Sequence, residues 1–251
     1  MKPDITLYHY WSSVCSQKVR FALAEKALAW DSRHVDLFRF ENWAADYAAL
    51  NAKGVVPTLV HDGHVITESN VILEYLEDCF PDPALRPAAG HDRALMRSWL
   101  LAIDEVVHPS VVEVSYNIRH RPRLQKYPQA ELEALAAGHP DPDLREDWLR
   151  RIRDGVSAAS EARCYRRLDR FAARLDDRLG RSPWLAGDRF SLADIAVAPY
   201  ANRIEVLAHP EFLDSARRPH LADWWRRIQD RAGYQDAFSF QNPDRDDPIK
   251  R

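Results

Sequence analysis

Cysteine is scarce in this chain. Cys15, Cys79 and Cys164 are widely spaced through 251 residues and odd in number, so they form neither a disulfide framework nor a zinc-ligand set. No apolar run approaches the ~20 residues that a membrane helix needs. The opening Met1-Lys2-Pro3-Asp4-Ile5 lacks the apolar core of a signal peptide. A strong excess of one charge is missing as well: Lys+Arg 35 against Asp+Glu 38 leaves a net charge of -3, which argues against nucleic-acid and acidic-membrane partners. Arginines are dense from Arg145 to Arg181, but Asp and Glu are interleaved with them, the pattern of a solvated helix face. The run His61-Asp62-Gly63-His64 spans a turn and has no further ligands nearby, so it reads as two exposed turn histidines and no metal is expected. These absences predict a soluble protein of a reduced compartment, the cytoplasm.

The residues that are present describe two kinds of segment. A length of 251 residues suits two domains that share a core. In the first eighty, Ile5, Leu7, Tyr8 and Tyr10 form an extended run, and a helix follows with Val19, Phe21, Ala22 and Leu23. Trp30 to Val35 reads as a second strand, with a short helix around Trp43–Leu50. Val55 to Val60 and Val65-Ile66 flank Asp62-Gly63, a dipeptide suited to a tight hairpin turn. Ser69 then opens a helix with Val71, Ile72, Tyr75, Leu76 and Cys79 at helical spacing. The order β-α-β-α-β-β-α predicts a thioredoxin-like domain, a mixed four-stranded sheet with helices, over residues 1–80. A breaker-rich linker, Pro81 to Gly90, separates it from an all-α domain over 91–240. The fold class is therefore α+β. Cys164, Leu168, Phe171, Leu175 and Leu179 form an apolar stripe, so Cys164 reads as packing. Ser191 is an N-cap with Asp194 as its reciprocal residue, and Phe190 and Ile195 hold the staple positions. Residues 241–251 read as a loose tail.

One junction carries chemistry. From Ser12 to Arg20 the chain passes from strand to helix through hydroxyls and a thiol, where the first backbone N–H groups of a helix have no internal partners. Such a terminus stabilises an anion and biases a thiol there towards thiolate.

With these pieces placed, the chain resembles the cytosolic glutathione transferases over nearly its whole length. The resemblance rests on Ser-x-x-Ser-x-Lys-Val-Arg from Ser13, on Val56-Pro57, on Glu68-Ser69 opening a helix, and on Ser191-x-x-Asp194 in a helical second half. Ser13-Val14-Cys15-Ser16-Gln17-Lys18 is similar to the zeta and tetrachlorohydroquinone-dehalogenase branch, as are Glu41-Asn42-Trp43 and Arg203-Ile204-Glu205-Val206-Leu207. Ala24-Glu25-Lys26-Ala27-Leu28 is similar to the ganglioside-induced differentiation-associated protein 1 group. That group shares a long insertion, matched here by roughly 120–147; its membrane anchor has no counterpart.

The resemblance implies glutathione as co-substrate, no metal, a homodimer with sites near the two-fold axis, and attack of a glutathione thiolate on an electrophilic, aromatic small molecule. Ser13 would donate a hydrogen bond to that thiolate and so lower its pKa; otherwise it is a simple cap. Cys15 would take glutathione off a glutathionyl-aromatic intermediate through a mixed disulfide, as in reductive dehalogenation; otherwise it is a small residue that touches the ligand. Val56 would offer main-chain groups to the cysteinyl unit, with Pro57 cis. Ser69, as N-cap, would bind the γ-glutamyl carboxylate and Glu68 its ammonium group. Tyr116, Arg119, His120, Arg121 and Arg123 follow the first long helix, where the family builds its acceptor pocket; they could attract a phenolate or carboxylate, although a solvated helix end fits the sequence better. Two alternatives stay open: a non-catalytic glutathione-binding or interaction protein on the same fold, and a glutathione-dependent aryl-ether-cleaving enzyme.

Overall fold

The computed structural model describes residues 4–139, 141–207 and 209–241. Beyond Gln241, the tail read from the sequence lies outside the described residues. The first seven elements are β1 (Ile5–His9), α1 (Val14–Glu25), β2 (Asp31–His34), α2 (Ala45–Leu50), β3 (Thr58–His61), β4 (His64–Ile66) and α3 (Ser69–Cys79). Their sheet has the order β2-β1-β3-β4, with β1 parallel to β2 and the other two pairs antiparallel. Leu7 sits opposite Leu59 in the β1–β3 register. Because side chains alternate across a strand, Ile5, Leu7 and His9 turn to the buried face together. Asp62 and Gly63 both take positive φ, 49° and 79°, as a two-residue hairpin turn of this hand requires. This is the mixed α+β, thioredoxin-like arrangement, and an all-helical half follows it.

That second half begins with one long, irregular helix. α4 (Gly90–Ala102), α5 (His108–Ser115) and α6 (Arg121–Leu124) are joined end to end by two π-turns, Ile103–Val107 and Tyr116–His120. Such turns recur at functional sites because the wider winding re-aims side chains. Next come α7 (Gln129–Ala137), α8 (Pro142–Asp154), α9 (Ala158–Leu179), α10 (Leu192–Val206), α11 (Pro219–Gln229) and α12 (Ala232–Phe238). The cysteine-bearing stripe of α9 is buried as the spacing predicts. α8 buries none of its residues below the surface, in keeping with its interleaved charges.

The two halves share a core. Ile5, Leu7, Leu59, Ile72 and Leu76 join Trp99, Leu100, Leu192 and Trp224 in one buried cluster. α1 lies at the centre of it, against α3 on one side and α10 and α12 on the other. The segment read as an insertion contains α6, α7 and the start of α8. It builds a separate apolar cluster in which Leu132, Leu135 and Trp148 cover Phe40 and Trp43 of the first half.

Two buried polar networks fix this arrangement. At the start of α10, the Ser191 hydroxyl accepts from the Ala193 N–H at 3.3 Å, and Asp194 accepts from the Ser191 N–H at 3.0 Å, the reciprocal box that the sequence indicates. Asp194 also accepts from the Trp224 indole N–H at 2.9 Å and the Leu185 N–H at 3.2 Å. Burial nonetheless pushes its carboxyl up to about 6. At the linker, the ammonium of Lys26 lies 2.7 Å from a Glu77 carboxylate oxygen and donates to the carbonyls of Phe80 and Pro83. Glu77 in turn accepts from the N–H groups of Leu85 and Arg86, and the Leu192 N–H donates to the Leu85 carbonyl. The linker is thereby tied to α1, α3 and α10 at once.

Candidate functional site

The site forms where the starts of α1 and α3 meet the long helix and α10. Between β1 and α1 the chain crosses from extended to helical in four residues, Tyr10 to Ser13, and three of its carbonyls turn inward. Buried carbonyls need donors, and two arginines supply them. Arg20, on α1, donates to the carbonyls of Trp11 at 2.8 Å and Tyr10 at 3.4 Å, and also to the carbonyl of Ala237 in α12 at 2.9 Å. Arg203, on α10, donates to the carbonyl of Ser12. Burial lowers both guanidinium groups to about 9, and neither loses its charge near neutral pH. The Ser16 hydroxyl closes the loop by accepting from the Tyr10 N–H at 3.3 Å.

Ser13 is the N-cap of α1, with φ -67° and ψ 123°. Its hydroxyl oxygen accepts from the Ser16 N–H at 3.3 Å. A hydroxyl has two lone pairs and one proton, so capping leaves the Ser13 proton available to another acceptor.

Cys15 lies in the first turn of α1 and is half-buried. Its sulfur is 3.7 Å from His108 Nδ1 and 3.8 Å from the Tyr200 hydroxyl. Burial pushes the thiol up, but the charges of His108 and Lys18, with hydrogen bonds from His108 and Ser69, outweigh it and bring the thiol down to about 6. Lys18 is fully buried below; it donates to the Asn70 side-chain carbonyl at 3.0 Å and lies 3.8 Å from Asp104. Ser69 and Asn70 open α3, so these contacts clamp the starts of α1 and α3 together.

The Val56-Pro57 bond is cis, as the family resemblance implies. The loop around it is braced from α2: the Tyr47 hydroxyl and the Asn51 amide donate to the carbonyl of Val55 at 2.7 and 2.9 Å. The Asn42 amide donates to the Gly54 carbonyl at 2.7 Å. Gly54 has φ 58°, and a Cβ there would stand 2.8 Å from the Trp43 ring, so only glycine suits this turn. The braces fall on the neighbours of Val56 and not on Val56 itself.

At α3 the structure corrects the expected cap. Glu68, not Ser69, is the N-cap residue, and Ser69 is the first residue inside the helix. Glu68 has φ 65° and ψ 110°, a sparsely populated conformation for a side chain of this kind and one that concentrates at ligand sites. The reason for the shift is that the Glu68 carbonyl accepts from the Ile72 N–H at 2.9 Å, which starts the helical ladder there. The Glu68 carboxylate is exposed and lies 2.6 Å from the Lys53 ammonium.

The helical wall departs most from the sequence reading. Arg119 and Arg123 are both buried, at 6% exposure, instead of lying on a solvated helix end. The π-turn at Tyr116–His120 turns them inward. Arg123 donates to the Tyr10 hydroxyl at 3.1 Å and stacks over the Phe38 ring at 4.7 Å. Burial lowers His120 to about 3, helped by the charges of Arg203, Arg119, Arg123 and Arg151. His61 is also corrected: its ring is buried and bonded to the Tyr75 hydroxyl at 2.8 Å, while His64 stays exposed.

Sequence reasoning missed Lys53, His108 and Tyr200, and it met Arg203 only inside a quoted motif of the family resemblance. Lys18 and Arg20 lie within the quoted junction motif, and only the motif marks them. His108 and Tyr200 lie 93 and 185 residues from Cys15, and no local pattern announces them.

A thioredoxin-like sheet domain joined to a helical domain, with chemistry at the first strand-to-helix turn, defines a glutathione transferase class of protein. Known proteins agree. The glutathione S-transferase N-terminal domain matches residues 12–79, and the glutathione S-transferase C-terminal domain matches residues 142–227. Protein LigF of Sphingobium sp. (strain NBRC 103272 / SYK-6) is 32% identical over 98% of this chain and 97% of its own. The tetrachloro-p-hydroquinone reductive dehalogenase of Sphingobium chlorophenolicum is 30% identical over 96% and 98%. Among solved structures, the beta-etherase LigF of strain SYK-6 superposes with a TM-score of 0.87, covering 95% of this chain and 99% of that one at 32% identity. A theta class enzyme from Xanthomonas axonopodis pv. citri, with glutathione bound, gives 0.70 at 25% identity, covering 95% and 99%. The chain belongs to the glutathione S-transferase family and is a glutathione-dependent enzyme.

Proposed function

We propose that Ser13 holds the glutathione sulfur as thiolate for attack on an electrophilic aromatic carbon. The observation that carries this reading is the α1 N-terminus: Ser13 caps the helix with its oxygen and keeps its proton, while Arg20 and Arg203 pin the carbonyls before it. A thiolate in front of Ser13 meets a hydroxyl donor and the positive end of a helix, both of which favour the charged form. The reaction forms a carbon–sulfur bond and expels a leaving group from the attacked carbon; proximity alone contributes on the order of 7–11 kcal/mol to such a step.

The rest of the tripeptide has matching groups. Val56 offers main-chain N–H and C=O to the cysteinyl unit. The start of α3 at Ser69 takes the γ-glutamyl carboxylate, and Glu68, held at the rim, takes the ammonium group. Glu68→Gln is therefore expected to raise the KM for glutathione about tenfold with a smaller change in kcat, the mark of ground-state binding; an unchanged KM in steady-state assays would remove Glu68 from the site.

The guanidinium groups of Arg119, Arg123 and Arg203 gather around His120; we read this as the acceptor side, suited to an aromatic acceptor bearing a carboxylate or phenolate. Likeness to the beta-etherase favours a second reading, in which the attacked carbon carries an aryloxy group and the leaving group is a phenolate that then takes a proton. Likeness to the dehalogenase favours a third product type, in which Cys15 removes glutathione from the aromatic conjugate. Each runs in a cytoplasmic homodimer in this proposal. The deciding experiment incubates the protein with glutathione and, separately, quinones, halogenated phenols and aryl ethers, and identifies products by mass. Conjugates, reduced aromatics and freed phenols mark the three outcomes. No turnover with any acceptor, together with no retention on immobilised glutathione, would leave only a non-catalytic protein on this fold.

A further inference from the structure

Cys15 has a neighbour that the glutathione reading does not use. We propose that His108 is a positioning residue for Cys15: it takes the Cys15 proton at Nδ1 and, with Tyr200, holds the resulting thiolate ready to exchange with a glutathione sulfur. This inference rests on the glutathione site described above and adds a second thiolate beside it.

The geometry is a closed triangle. His108 Nδ1 lies 3.7 Å from the Cys15 sulfur and 3.2 Å from the Tyr200 hydroxyl, and that hydroxyl lies 3.8 Å from the sulfur. Sulfur is a large, diffuse acceptor, so these separations let it receive both an imidazolium N–H and a phenol O–H. Three elements contribute, α1, α5 and α10, and the π-turn at Ile103–Val107 sets the angle at which His108 enters. Two further groups favour the charged form of the sulfur: the charge of buried Lys18 on α1 and the hydroxyl of Ser69 on α3. Asp104 lies beyond, 3.8 Å from Lys18, and its charge helps to keep the imidazole protonated. Tyr200 is held neutral, its phenol pushed well above the usual range by burial and by the Cys15 charge, so it serves as a donor and not as a competing anion. With the thiolate as partner, His108 is raised above its ordinary value although burial opposes this. A thiolate–imidazolium pair of this kind is reactive at neutral pH where an ordinary thiol is not.

The exchange balances with glutathione disulfide as the named co-reactant. The Cys15 thiolate attacks one sulfur, a Cys15–glutathione disulfide forms, the original disulfide bond breaks, and glutathione leaves as thiolate. A second glutathione reverses the step. Cys15 is half-buried in the first turn of α1, whereas Cys164 is buried on α9 and Cys79 is exposed at the end of α3.

The test is the pH dependence of Cys15 alkylation by iodoacetamide, located by peptide mass, in a Cys79→Ser background. Above its pKa the thiol is ionised, so the unaltered site should alkylate with an inflection near pH 6. His108→Asn should move the inflection up by at least one pH unit and slow alkylation at pH 6.5 about tenfold. Tyr200→Phe should move it less in the same direction, and glutathione disulfide should add to Cys15 faster in the unaltered site than in either variant. An inflection in the ordinary thiol range before any change at position 108 overturns the proposal, and that measurement needs no substitution within the site, since Cys79 is exposed at the end of α3. Equal profiles with and without His108 also overturn it. Conjugation of a generic electrophile, measured in parallel on the protein with His108 and Tyr200 unaltered, reports on the Ser13 reading by itself: its absence there would sink that reading while the alkylation profile still decides the role of His108.

Discussion

Ser13→Ala is expected to cut kcat/KM for conjugation by about 10- to 100-fold. A hydrogen bond to a charged group contributes roughly 1.5–3 kcal/mol, and each 1.36 kcal/mol is about tenfold in rate. The same loss should raise the pKa of bound glutathione, so the rising limb of the pH–rate profile should move up by about one to two units. Stability should change less. The N-cap bond to Ser16 is worth about 1 kcal/mol, which lowers the melting temperature by about 2–4 °C in a chain of this size. Ser13→Thr keeps the hydroxyl and should retain most of the rate. Ser12 provides the contrast, because its structural contribution is the carbonyl that Arg203 binds. Ser12→Ala keeps that carbonyl and should be mild. If Ser12→Ala is the damaging change and Ser13→Ala is silent, the donor has been assigned to the wrong serine.

Lys26→Met should carry the largest cost in stability. Lys26 and Glu77 are 0% and 4% exposed and 2.7 Å apart, and removing one partner of a buried pair typically costs about 3–5 kcal/mol because the other charge stays behind unpaired. Here the loss would fall on the linker as well, since Lys26 also holds the carbonyls of Phe80 and Pro83. Denaturant unfolding followed by tryptophan fluorescence measures the change. Lys26→Met combined with Glu77→Gln removes the stranded charge and still leaves an oxygen for the Leu85 N–H, so the pair should recover part of the loss. A single change that costs under about 1 kcal/mol would show that water, and not Lys26, satisfies Glu77.

Much of the architecture is legible in the chain because local chemistry decides it. The Asp62-Gly63 turn, the stripe through Cys164 and the box at Ser191 and Asp194 each depend on residues within a turn or two of one another, and each forms as read. The site is legible only in part, because contacts across long stretches of sequence decide the rest. Arg119 and Arg123 stand four apart among other basic residues, the pattern of a solvated face, and only the π-turn that holds Arg119 and precedes Arg123 turns that face inward. Glu68 and Ser69 both suit a helix start; the conformation of Glu68 chooses between them. His108 and Tyr200 become meaningful only once α5 and α10 are packed against α1.

The two π-turns have a further consequence, in the length of the chain. Each holds one residue more than the α-turn it replaces, and in an α-helix one residue is about 100° of rotation. Deleting a single residue between Ile103 and Val107 would leave a smoother and more regular helix, yet swing His108 about a quarter of a turn away from the Cys15 sulfur. A deletion between Tyr116 and His120 would do the same to Arg123 and the Tyr10 hydroxyl. Insertions and deletions are usually tolerated in loops and excluded from helices for the sake of stability. In this helix a deletion would cost aim before it cost stability, and relatives that lack either extra residue should differ in thiol reactivity or in acceptor charge before they differ in fold.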